Sequence, residues 1–395
     1  MVSVAGSQMQ VAAIHWHIRE LTGEPNPLAL GGIGLARILP VIAFSLIGGT
    51  VADSYNRKRI MFVTQSVMAL TALALAILTF SGEVSIWTIY ALTAIQASAI
   101  AFDLPARQAL IPNLVPARDL PNAFSLTSIA FNTGAILGPA LSGFVIAEWG
   151  QGYTYLINAL SFGAVLLALA LLGPVTQQRL KRQTGGLAAM REGVHFILTH
   201  PIILSSMLLD FFATFFSSAN TMMPIIARDI LKVGERGYGL LSSAQSIGAV
   251  TAGLIVSQLR EIRRQGPTFL YAVVVFGLAT IGFGLSRQFA LSMAALILMG
   301  AADSVSTIIR NTIRQLQTPD YIRGRMTSIN QIFFQGGPQL GEVEAGIVAQ
   351  LFGVPFAIIS GGMGCIIAVA LIARRWPQLA RYNGDEPIRA GAAAD

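Results

Sequence analysis

The sequence predicts an all-α membrane protein, with twelve transmembrane helices in two six-helix halves related by pseudo-symmetry. Three observations predict it. The 395 residues are 54% hydrophobic and only 11% charged, against roughly 25% charged in soluble domains, so the chain cannot hide its apolar surface in water. Apolar stretches long enough to cross a hydrocarbon core of about 30 Å recur from end to end, and no period-2 alternation of the kind a barrel needs interrupts them. The two halves also match each other at an offset of 203 residues, where Arg107, Pro116, Phe131, Gly134 and Gly138 correspond to Arg310, Pro319, Phe334, Gly337 and Gly341. Five matches in one ungapped register point to duplication.

The predicted spans are 1–21, 28–51, 60–80, 84–106, 122–147 and 153–173, then 199–226, 237–258, 268–286, 288–309, 325–351 and 355–373. The first is the least apolar. Its Ser3 and Gly6 stand almost at Met1, which predicts a short first helix and a start site assigned too late. The second follows the turn-rich ELTGEPNP, and the third is cut from it by the polar GGTVADSYNRKR. Polar or Pro-bearing stretches divide the next three in turn. The stretch 175–198, with QQRLKRQTGGLAAMREGVH inside it, is read as a cytoplasmic linker between halves 1–174 and 199–374, and 375–395 as a cytoplasmic tail.

Charge placement sets the expected orientation. Loops on the side of the amino terminus hold twenty Lys and Arg residues, the opposite side holds five, and Arg37 alone falls within a span. The positive-inside rule then puts both termini in the cytoplasm. The net charge of +7 lies in short clusters without aromatic platforms, so it reads as a topology signal rather than a nucleic-acid surface. The single cysteine, Cys365, allows no intrachain disulfide and no thiolate metal site. A phosphate-binding loop is missing, and GGIG has no preceding strand, so neither a nucleotide nor another cofactor is expected. No constellation of catalytic groups converges, and an enzyme is not expected.

The polar break carries a second pattern. Gly49, Asp53, Arg57 and Lys58 match the loop between helices 2 and 3 of the major facilitator superfamily, which the chain thereby resembles. Ser54 stands where that family has a base, and Asn56 where it has a glycine; Asn tolerates the left-handed turn. The resemblance implies a gating role for Asp53 with a partner such as Arg107. Elementary physics alone gives Arg57, Lys58 and Arg59 a topology role and lets Gly48 and Gly49 bring a neighbouring helix close. In the fifth span Gly134, Gly138, Pro139 and Gly143 match the family's antiporter-associated pattern, with Ser142 for one glycine. Pro139 bends the helix, and the glycines are expected to pack it against a partner from the other half.

A finer resemblance, to the branch containing the enterobactin exporter and related bacterial efflux proteins, rests on FDLPARQALIPNLVPARDLPNAFSLTSIAFN at 102–132, IRGRMTSINQIFFQGGPQLG at 322–341 and ELTGEPNPLALGGIGLARILP at 20–40. It implies a secondary transporter in a bacterial inner membrane, monomeric, exporting amphipathic small molecules or siderophores against protons by rocking its halves. An uptake permease on the same fold and a non-transporting scaffold are the alternatives.

Ionisable groups inside a span ask for a reason, since each costs about 2.5–3.5 kcal/mol at a helix centre. The candidates are Arg37, Asp103, Asp210, Asp303, Glu342 and Glu344. Helices 1, 4, 7 and 10 line the cavity in the family, and the three aspartates fall on three of them. Asp103 and Asp303 have bases within seven residues, which predicts fixed charge. Asp210 has none nearer than His200 and Arg228 and is the expected proton site. Glu342 and Glu344 lie about 200° apart around a helix, so one alone can face a cavity, as the reserve. Arg37 is expected to bind an anionic substrate or neutralise an acid. His15 and His17 lie on different faces and read as no metal site, and Phe211, Phe212, Phe215 and Phe216 read as packing or lipid-facing residues.

Overall fold

A computed structural model of the chain describes residues 2–173, 187–216, 219–259, 262–319 and 322–384. The first group of helices is α1 (Val2–Leu21), α2 (Pro27–Ser54), α3 (Arg57–Ser81), α4 (Ile86–Leu114), α5 (Leu120–Trp149) and α6 (Gln151–Leu171). Side chains fix several starts. Asn26, Asn56 and Ser85 accept from the backbone N–H of Ala29, Arg59 and Thr88, satisfying donors that the first turn leaves unpaired.

The remainder is α7 (Leu187–Thr199), α8 (Pro201–Phe216), the single turn α9 (Met223–Ile225), α10 (Gly234–Ser257), α11 (Gln265–Leu285), α12 (Phe289–Gln317), α13 (Arg323–Phe352), α14 (Val354–Arg375) and α15 (Pro377–Arg381). No strand occurs among the described residues. Eleven of the twelve predicted segments each fall on a single helix; the seventh is described below. Nine helices there are long and apolar enough to cross a membrane, or ten if the bent pair ending at Phe216 counts as one span. Polar side chains keep α1 and α13 out of that number.

The predicted internal repeat is built into the fold. α12 and α13 begin and end 203 residues after α4 and α5. The turns after α5 and α13 match as well: Gly150 and Gly353 hold φ of +87° and +89°, and their N–H groups return to Ile146 and Ala349. A side chain is strained at such φ, which explains glycine at both sites.

Two expectations need correcting. α4 and α12 run on to Leu114 and Gln317, so Arg107, Arg310 and Arg314 belong to helices rather than to loops. Within the supposed linker, 187–199 is a helix, meeting α8 at a bend of 100°. Its Phe196 and Ile197 pack with Ile203, Met207, Met326 and Ile329, a short apolar stripe that a span-length search passes over. Residues 174–186 of the linker and the tail from 385 lie outside the described residues.

The seventh predicted span is also not one helix. It ends at Phe216, resumes as a tight turn at Ala219–Met222, and closes on a π-helical turn at Ile226–Ile230. By compactness the chain forms two units, Met1–Lys181 with Asn220–Ser243, and Arg182–Ala219 with Ala244–Asp395. The segment 220–243 thus packs with the first six helices, for reasons given below.

Candidate functional site

In the first unit, Gly48 lets α2 press on the backbone of α4, where any Cβ would strike the Ala101 carbonyl. The bases of GGTVADSYNRKR hold helix ends. Arg57 Nη1 donates to Ala109 O at 2.8 Å and Asn113 Oδ1 at 3.0 Å, and Lys58 Nζ donates to Leu172 O. Cations favour such carbonyl-rich C-termini, so these two residues fasten α3 to the last turns of α4 and α6. The side chains of Asp53 and Gly49 lie outside the described residues. Arg107, expected beside Asp53, has its half-exposed guanidinium 3.5 Å from Asp103.

Asp103 is buried, and its Oδ1 accepts from Thr64 Oγ1 at 2.8 Å and Gln65 Nε2 at 3.0 Å. A carboxylate with that many donors joins α3 to α4. Arg37 is half-buried on α2, within electrostatic range of His15 and Tyr238.

The glycine–proline pattern of α5 serves two partners instead of the one expected. Gly134 and Gly138 face α1, where added Cβ atoms would meet Val4, Ala5 and Gln8, and Ser142 Oγ donates to Met9 O at 3.0 Å. The later sequence also meets this helix: Gly143 lies against Gly239 of α10, which also approaches Pro139 O. A helix presents different faces at successive turns, so one motif can seat two neighbours.

Around that contact, Tyr238 Oη donates to Ala12 O and Ser243 Oγ to Ile136 O, both at 2.8 Å. Arg19, buried, makes a bidentate pair with Asp229 of the π-helical turn, at 2.8 Å from Nε and 2.6 Å from Nη2. These bonds bind 220–243 into the first unit. Sequence reasoning missed the pair, because a base at a helix end is indistinguishable from a topology charge.

In the second unit Asp210 is not the lone acid its sequence neighbourhood implied. Arg310 reaches it from α12, Nη1 to Oδ1, and both side chains are 3% exposed. Distance along the chain says nothing about a partner from another helix, and a buried carboxylate without a cation would be far costlier. Arg310 Nη2 also donates to Thr307 Oγ1 at 3.1 Å, three residues back, which directs its side chain toward the turn that carries Asp303.

Asp303 behaves differently. The packed face of α12 carries Ser292, Leu296, Met299, Ser306, Arg310, Ile313 and Gln317, in steps of three and four that leave one place vacant between Met299 and Ser306. Asp303 fills that place and is nevertheless exposed. The exposed Leu291 and Leu298 lie about 120–140° around the helix from it. Asp303 is the fifteenth of 29 residues, about 21 Å from either end. It sits within electrostatic range of Arg310, Asp210 and Cys365 and forms no ion pair or hydrogen bond among the described residues.

Glu342 and Glu344 are both half-buried on α13. The phenylalanines pack: Phe211 stacks on Phe215 and meets Phe333 edge-on, while Phe212 stacks on Phe216.

A polytopic helical bundle built on an internal repeat, with buried ion pairs and one accessible mid-helix acid, defines a secondary transporter of the major facilitator type. A family model described as transmembrane secretion effector matches residues 1–385, and the chain belongs to that family. The enterobactin exporter EntS of Citrobacter koseri is 28% identical over 88% of this chain and 83% of its own length. The staphyloferrin A transporter of Staphylococcus aureus is 25% identical over 92% and 91%. Among solved structures, a D-xylose–proton symporter superposes with a TM-score of 0.74 at 12% identity, covering 96% of this chain and 97% of that one. A bacterial homologue of the lysosomal transporter Spinster gives 0.72 at 12%, with the same coverage. At such identities the two structures speak for the fold alone.

Proposed function

We propose that the chain is a proton-coupled exporter of small amphipathic molecules, siderophores among them, acting as a monomer in a bacterial inner membrane with both termini cytoplasmic. The similarity to siderophore transporters supports the substrate class, and the bias of Lys and Arg supports the orientation. Coupling rests on one observation: Asp303, at the centre of α12, is exposed and forms no ion pair or hydrogen bond among the described residues. A coupling acid must exchange its proton with each side in turn, which requires access and no permanent cation. Asp210 is buried against Arg310, so its part is to hold that arginine. Glu342 and Glu344, half-buried, are secondary candidates, and Arg37 and Asp103 have structural roles.

The test is proton-driven transport of enterobactin into inside-out proteoliposomes. Asp303→Asn is expected to abolish accumulation against a gradient while leaving exchange down a gradient intact, and an uncoupler should reduce the wild type to the same level. Uphill transport by Asp303→Asn at the wild-type rate refutes the assignment. Uptake of the opposite sense marks a permease.

A further inference from the structure

We infer that a chain of neutral amides on α1, α4 and α6 is a hydrogen-bonding subsite for an uncharged, hydroxyl- or amide-rich part of the transported molecule; the inference rests on the transport reading above. Ser161 Oγ donates to Asn158 O at 2.7 Å and lies 3.1 Å from Asn158 Oδ1, Asn158 Nδ2 donates to Gln10 Oε1 at 2.5 Å, and Gln10 Nε2 to Gln96 Oε1 at 2.8 Å. Gln10, Asn158 and Ser161 are buried. Gly6, left over from the pattern in the first span, makes the room: a Cβ there would stand 2.6 Å from Ser161 Oγ and 2.7 Å from Asn158 Oδ1.

Both inter-helix amide bonds run the same way, toward Gln96, whose own amino group makes no hydrogen bond among the described residues. Gln96 is only half-buried, although it lies in the packed stripe of α4 between Ile89 and Asp103, with the exposed Trp87 on the opposite side. The row of amides fixes the orientation of that amino group in advance, so little freedom is lost when a ligand oxygen accepts from it.

Two hydroxyls on the same helices lack a hydrogen-bond partner among the described residues. Thr93 Oγ1, one turn before Gln96, and Thr154 Oγ1, one turn before Asn158, are buried hydroxyls with no hydrogen bond. Gln10 lies about 12 Å along α1, near mid-membrane, where an unmet hydroxyl is expensive. Of these groups Thr93 is the one that flanks the half-buried Gln96 on α4, and an oxygen- and N–H-bearing ligand seated at Gln96 would offer it a partner. No member is ionisable, so recognition here is independent of charge, in contrast to the Asp303–Arg310 face of α12.

The experiment measures binding by the full chain in detergent and its transport in proteoliposomes, with enterobactin as the oxygen-rich probe and tetraphenylphosphonium as a probe without hydrogen-bonding groups. Gln96→Leu is expected to weaken enterobactin binding about tenfold, the loss of one good hydrogen bond, and to leave tetraphenylphosphonium unaffected. Thr93→Val is the sharper variant, since it removes only a hydroxyl without a protein partner. A purely structural hydroxyl predicts an unfolding midpoint at or above wild type and unchanged binding, whereas the subsite predicts that same midpoint with enterobactin binding reduced severalfold. Unchanged enterobactin affinity in both variants, equal losses for both probes, or wild-type binding of tetraphenylphosphonium alone overturns the subsite and leaves the transport reading standing. A wild-type protein that binds and moves neither probe overturns both.

Discussion

If Asp210 is the permanent partner of Arg310, neutralising it should damage folding before it damages coupling. Asp210→Asn breaks a pair whose two side chains are each 3% exposed and strands a guanidinium whose Nε has no hydrogen-bond partner among the described residues. Breaking such a pair from one side costs about 3–5 kcal/mol, because the remaining charge has no water to return to. For a unit of this size that corresponds to a fall in the unfolding midpoint of roughly 6–20 °C. Replacing both members by apolar residues of similar volume, Asp210→Leu with Arg310→Met, removes the stranded charge and should recover most of the loss. The assay is thermal unfolding of the four proteins of this double-mutant cycle in one detergent, followed by uphill transport in those that remain folded. A strong positive interaction energy between the two sites is expected. An Asp210→Asn protein of wild-type stability that has lost uphill transport would refute this reasoning and restore Asp210 as the proton site.

Asp53→Asn, which keeps size and hydrogen bonding while removing charge, should leave membrane insertion intact and slow the transport cycle; wild-type rates in reconstituted vesicles would leave Gly49–Lys58 as a topology signal with helix-end contacts. Gly239→Val places a Cβ where it would stand 2.7 Å from Pro139 O and 2.9 Å from the Gly143 Cα. Backbone cannot yield as a side chain can, so the variant should lose about 1–3 kcal/mol or more of stability, together with transport. Gly163→Ala, facing open space, is the control that should change neither.

The repeat was legible in the sequence because duplication preserves register: the 203-residue offset read from five residues also sets both ends of α12 and α13 and the positive-φ glycines at 150 and 353. Helix positions followed from apolar length for the same reason. The ion pairs were not legible. Asp210 and Arg310 are 100 residues apart, and Arg19 and Asp229 are 210 apart. No local pattern chooses such partners among many bases. α7 escaped because its apolar stripe is short and interrupted by Arg191 and Glu192.

What separates the two halves chemically is the position of one acid on a shared stripe. By the same offset Ile100 of α4 is the counterpart of Asp303, and each is exposed within an otherwise packed face. The duplicated fold therefore supplies the same opening twice. In α4 the acid falls three residues later, at Asp103, where Thr64 and Gln65 cover it and Arg107 lies beside it. In α12 the corresponding residue is the buried Ser306, and the acid stands at the opening itself. A carboxylate three residues from the opening is enclosed and holds helices together, whereas the one at the opening is the acid proposed above for coupling. The number of acids in the membrane is then a poor guide to coupling, and the register of each acid on its helix is a better one.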